Sequence, residues 1–210
     1  MRRFRYTLIA VCLVLLFLGV TDLRLWLSNP TPLKVSIAEI EASGAPREWL
    51  RVTAGYMDFD RAISTSGSVE LEALLVPLLL HPDQELVVVM VETRDERLLQ
   101  LFKEYHFFTD TIPEKRAFRE KHAREFAGQR DVTGMLVSGL IVRSNQQKLL
   151  DLAKQTGMNV SDNVVFISEG KEPGKLRGIF FTVVALFGLV RVINFKKTDK
   201  QQAAAPSETP

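Results

Sequence analysis

Two aspartates, Asp58 and Asp60, stand two residues apart in the stretch Gly55-Tyr-Met-Asp-Phe-Asp60. In an extended chain that spacing turns both carboxylates to one face, where they could hold a divalent cation or share acid and base roles. The same stretch also suits a turn between strands, because aspartate accepts hydrogen bonds from its own backbone. The turn is the plainer reading. Elsewhere the chemistry is thin. His81, His106 and His122 are scattered, and His122 has Glu125 three residues on but Phe118 one turn back, so no ligand pair of known spacing forms. No metal or other cofactor is expected. Ser64, Ser66, Ser68, Ser138, Ser144 and Ser161 lack the glycines of a nucleophile elbow. Gly134 and Gly139 interrupt a strand pattern, which suits a bulge or a close backbone approach better than a phosphate loop.

The most unusual composition lies at residues 113–130. Lys115, Arg116, Arg119, Lys121, Arg124 and Arg130 outnumber Glu114, Glu120 and Glu125, while Phe118, His122 and Phe126 recur every fourth position and Phe107 and Phe108 lie upstream. The plainer reading is a solvated helix resting one narrow stripe on the core. The sharper one is a membrane or partner surface built from Phe118, Arg119, Arg124 and Phe126.

These residues need elements to position them. Ser36-Ile-Ala-Glu39 predicts a capping box and a short helix that Gly44 and Pro46 end. Residues 49–56 alternate as a strand, with Leu50, Val52 and Ala54 on one side, and a second short strand ends near Ile63. The polar stretch 64–68 reads as a loop. Residues 69–80 and 85–92 pair across the turn His81-Pro-Asp-Gln84. Val87 to Val91 is apolar on both faces, hence central, whereas Pro77 predicts an edge or a bulge. Thr93 and Glu96 form a second capping box, before a helix with Leu98, Leu101, Phe102 and Tyr105 on one face. Pro113 opens the charged helix, which runs to Ala127 before Gly128. Residues 132–142 read as a strand, Ser144-Asn-Gln-Gln147 as a third capping box whose helix buries Leu149, Leu150 and Ala153, and 164–167 as a last strand. The fold class expected is α+β: a mostly antiparallel, open or barrel-like sheet with three to four helices, flanked by two terminal transmembrane helices.

Those flanks carry the basic surplus. The chain has 210 residues, 27 Lys/Arg and 25 Asp/Glu, a net charge of +2. Arg2, Arg3, Arg5 and Arg24 at one end, and Lys175, Arg177, Arg191, Lys196, Lys197 and Lys200 at the other, face only Asp22, Asp199 and Glu208, which leaves the stretch between them acidic. That excludes a nucleic-acid reader, which needs a basic folded surface. Residues 7–20 carry no charge and cover roughly 21 Å as helix, short of the ~30 Å hydrocarbon core until residues 21–27 are added, with Trp26 at the interface. A signal peptide shares this basic-then-apolar start, but no small-x-small cleavage site follows, so an uncleaved anchor is expected. Residues 178–195 have no polar face and reach roughly 27 Å. The sole cysteine, Cys12, lies in the first apolar run and leaves the domain without a disulfide.

The expected organisation is an anchor at 1–27, one extracytoplasmic domain at 28–173, a second span at 174–197 and a disordered tail at 198–210. Both termini are placed in the cytoplasm, because Arg2, Arg3, Arg5, Arg191, Lys196, Lys197 and Lys200 then lie inside against Arg24, Lys34, Lys171, Lys175 and Arg177 outside. The succession Val-Thr-Ala-Gly, Leu-Val-Pro-Leu, Leu-Val-Val-Val and Val-Thr-Gly-Met between two apolar ends resembles the oxidase-assembly factors of the SURF family. The Arg-Gly-Trp-type signature of that family is absent, with Glu92-Thr-Arg-Asp95 in its place, so the resemblance assigns no membership. The expected role is a non-enzymatic interaction or assembly module whose partners are membrane lipid, through the two spans, and another membrane or envelope protein. The alternative is a membrane-bound hydrolase or metal-dependent enzyme using Asp58 and Asp60.

Overall fold

The computed structural model describes residues 2–64, 72–137, 150–151, 153–154 and 157–203. The chain divides into two units, one made of Met1–Pro30 with Pro173–Pro210 and the other of Thr31–Glu172.

The second unit is built on a closed barrel. Its elements are β1 (Leu33–Ser36), α2 (Ile37–Ser43), β2 (Trp49–Met57), β3 (Ile63–Ser64), β4 (Leu74–Leu79), β5 (Val87–Thr93), α3 (Glu96–Phe107), α4 (Ile112–Lys121), α5 (Ala123–Ala127), β6 (Gln129–Leu136) and β7 (Val160–Glu169). Strands run β2-β6-β7-β5-β4 and return to β2, where Tyr56 faces Leu79 and Met57 faces Leu78. β1 and β3 are appended outside this ring. The pairs β1–β2 and β5–β7 are parallel and the others antiparallel. Closure removes the sheet edges that an open arrangement would expose.

One buried cluster draws Leu50, Val52, Val76, Val89, Val132 and Ile167 from all five ring strands, and Ile37, Ile40, Leu98 and Phe102 from α2 and α3. A second gathers Leu75, Leu79, Met90 and Phe166 with Ala153 and Met158. β4 and β5 are therefore apolar on both sides, as the unbroken Val87–Val91 run implied.

Three local expectations change. The alternation of β2 switches phase, with Leu50 and Val52 buried first and then Gly55 and Met57. Between the pairs Val52↔Val132 and Gly55↔Arg130, β2 spends one residue more than β6, which is a bulge. Ala54 supplies it with a positive φ of 54° and donates its N–H to Asp131 Oδ1 at 3.1 Å, while Arg51 holds Oδ2 at 2.8 and 3.0 Å. The Ala54 amide and the Arg51 guanidinium together hold the Asp131 carboxyl below its usual range. Pro77 marks neither an edge nor a bulge. β3 pairs with Leu74 and Leu75, β2 with Leu78 and Leu79, so Pro77 falls where β4 changes partner and no donor is wanted. The cap of α3 is Asp95, which accepts from the amides of Arg97 and Leu98, while Thr93 is buried. The Ser36–Glu39 box forms as expected, with a second, unforeseen box between Thr111 and Glu114. The loop at 65–68, Gly139, Ser144 and the helix start at Leu149 lie outside the described residues.

The first unit pairs α1 (Arg2–Ser28) with α6 (Lys175–Ala203). Tyr6–Ser28 is, among the described residues, the one helix long and apolar enough to cross a membrane. The expectation of two such helices is corrected here, since Lys175, Arg177 and Arg191 interrupt the described part of α6. Helix also continues to Ala203, into the stretch expected to be disordered, and 204–210 lie outside the described residues. Buried positions recur with heptad spacing, Cys12 and Gly19 on α1 and Gly178, Ala185 and Val192 on α6. A heptad repeat keeps one seam facing its partner, and small residues let the backbones approach. A Cβ at Gly19 would lie 2.5 Å from Thr182 Oγ1, and one at Gly188 would lie 2.5 Å from Cys12 Sγ. Arg177 donates to Asp22 at 2.7 and 2.8 Å and ties the same seam.

Candidate functional site

β2 ends at Met57, and the turn after it meets α3, α4 and α5. Asp58 donates its N–H to Pro77 O at 3.0 Å, which seats the turn on β4. Its Oδ1 accepts from the amides of Asp60 (3.0 Å) and Arg61 (3.2 Å), and its Oδ2 from Arg61 Nε. The Arg61 guanidinium goes on to Gln84 O at 3.0 Å and Glu85 O at 3.3 Å, so the pair ties the turn to the chain leading into β5. Between the two aspartates, Phe59 is buried in the main cluster.

Asp60 points to the helices. Its Oδ1 accepts from the Tyr105 hydroxyl at 2.9 Å, and its Oδ2 from Arg119. Around this clasp the rings form a contiguous cluster. Phe126 lies 5.7 Å from Phe59 and 5.0 Å from Tyr105, and Phe118 lies 5.9 Å from Tyr105 and 4.5 Å from His122. Lys115 stands over the Tyr105 ring at 5.6 Å and Arg119 over Phe126 at 5.9 Å, both within cation–π range. Burial pushes the Tyr105 hydroxyl above its usual range. His106 is lowered, chiefly by burial and further by Lys115, with a bond to the Phe59 backbone acting the other way.

Asp58, Asp60, Phe118, Arg119 and Phe126 thus converge on one place, although the sequence treated the aspartates and the basic stretch as separate features. Arg124 is exposed outside the cluster. Arg61, Tyr105 and Lys115 complete it and were not singled out. No local spacing could have revealed Tyr105 and Arg119, which reach Asp60 across 45 and 59 residues of chain.

The arrangement is a fastening. Each carboxylate already accepts from at least two donors, one of them a guanidinium, and such charge-assisted bonds leave little lone-pair capacity for a cation. No group of three or more potential metal ligands occurs among the described residues. Phe118 and Phe126 turn toward Tyr105, and Phe126 packs against the barrel cluster. No known protein family, characterised protein or solved structure matches the chain.

Proposed function

We propose that this protein is a non-enzymatic, membrane-tethered module whose extracytoplasmic barrel domain binds another membrane or envelope protein. The observation that carries this reading is the commitment of Asp58 and Asp60 to holding the turn against Arg61, Tyr105 and Arg119. A double variant, Asp58→Asn/Asp60→Asn, should therefore act through stability. Losing charge-assisted bonds costs about 1.5–3 kcal/mol each where they are shielded, and less at the half-exposed Asp60. The thermal midpoint should fall, while crosslinking in native membranes below that midpoint should capture the same partners. An unchanged midpoint with abolished cellular function would favour the hydrolase or metal-dependent alternative.

The tether is proposed to cross the bilayer twice. α1 meets the requirement alone. For α6 the support is its outer face, where Ile179, Phe180, Val183, Phe187 and Val190 are exposed on the side away from the Gly178–Ala185–Val192 seam. Such a face is costly in water and favourable in lipid. With both tails in the cytoplasm, a cysteine at the exposed Ser43, in a Cys12→Ser background, should react with a membrane-impermeant maleimide in intact cells. Labelling only after lysis would reverse the topology.

A further inference from the structure

We infer that the corner between α3 and α4 is a lipid-docking tip, with Phe107, Phe108 and Ile112 entering the bilayer interface. This rests on the membrane-tethered reading above. The buried face of α3 ends at Tyr105, and the chain then leaves the barrel, so Phe107 is 68 %, Phe108 75 % and Ile112 77 % exposed. Three large apolar side chains within six positions, all turned to solvent, form an apolar point with nothing of the domain against it. Phe118 and Phe126 on the neighbouring helices face inward, so the apolar contact belongs to the corner and not to the helix stripe.

Charge selects lipid as the occupant. The domain is acidic as a whole, yet α4 carries Lys115, Arg116, Arg119 and Lys121 against Glu114 and Glu120. Of the acids beside the tip, Glu114 caps its own helix through the amides of Asp110 and Thr111, and Glu104 accepts from Gln100, leaving Asp110 as the remaining carboxylate. Aromatic and aliphatic side chains at a tip backed by basic residues suit an interface rich in anionic headgroups. Only Asn29, Pro30, Thr31 and Pro32 separate α1 from β1, so the domain stays at a high effective concentration near any bilayer that α1 enters.

The test uses the full chain in a Cys12→Ser background, reconstituted into vesicles of phosphatidylglycerol and phosphatidylcholine or of phosphatidylcholine alone. An environment-sensitive fluorophore is placed at Phe108→Cys and, in a separate protein, at Phe17→Cys on the outer face of α1. The probe at 108 should be blue-shifted and quenched by lipids with a shallow nitroxide, more strongly in the anionic vesicles and less so at high salt. Adding Phe107→Ser and Ile112→Ser should remove that quenching, and Lys115→Gln with Arg116→Gln should remove its preference for anionic lipid. If 17 is quenched by a deep nitroxide and 108 by none, the lipid tip is refuted while the span stands. If neither is quenched, the membrane reading itself fails. If 108 is shielded only in native membranes, where it crosslinks to protein, the tip binds a protein and the lipid assignment is wrong.

Discussion

Gly134→Ala should destabilise the barrel by about 3 kcal/mol, the upper part of the range for forcing a methyl into a packed site. Gly134 lies on β6 opposite Glu169, and the next pair along is Met135 with Ser168. A Cβ at 134 would sit 2.3 Å from Ser168 O, 2.8 Å from Ser168 C and 2.9 Å from Ile167 Cγ2. Two of those atoms are backbone, which no rotamer change can move aside. Relief must come from separating β6 and β7 at a seam of the closed ring, and closure passes the displacement to neighbouring strands. Chemical unfolding of the full chain in detergent, followed by the fluorescence of Trp49, would measure the loss. Gly157→Ala is the comparison. Gly157 has φ +81° but nothing within 4 Å, so its substitution carries only the backbone cost of about 1–2 kcal/mol. Equal losses at 134 and 157 would show that the close approach on β7 does not matter.

Gly19→Leu should part α1 from α6. A Cβ there meets Thr182 N at 2.8 Å and Gly178 O at 3.0 Å, besides Thr182 Oγ1, so a leucine cannot fit without moving the helix axes apart. Without water to drive apolar association, paired helices in lipid depend on this fit and on polar contacts such as Asp22 with Arg177. Overpacking costs about 1–3 kcal/mol, and each 1.4 kcal/mol lowers the paired population about tenfold. The seam supplies its own reporter, since Gly188 faces Cys12. Gly188→Cys should oxidise readily with Cys12, and adding Gly19→Leu should cut the yield about tenfold or more. An undiminished yield would mean that the helices meet along another line.

The basic helix shows how far a residue pattern reaches. Its spacing of Phe118, His122 and Phe126 announced one apolar stripe, and one stripe is present. Whether that stripe met solvent, lipid or core depended on Tyr105 and Phe59, which lie elsewhere in the chain. The same holds for Ala54. Alternation placed it with Leu50 and Val52, but a bulge turned it out, because its amide finds the carboxylate of Asp131 on the next strand.

What the sequence determined by itself was whatever a few consecutive residues can encode. The Ser36–Glu39 cap, the core face of α3, the two-sided burial of β5 and the apolar character of α1 all follow from hydrogen bonds or periodicity within one or two turns. The tertiary structure alone decided the closure of the ring through Tyr56 and Leu79, the clasp of Asp60 with Tyr105 and Arg119, the change of partner at Pro77, and the meeting of Cys12 with Gly188. Each joins groups far apart in the chain. Such contacts are selected by the shape and burial of the assembled whole, after the entropy of closing long loops has been overcome, so no spacing along the chain records them.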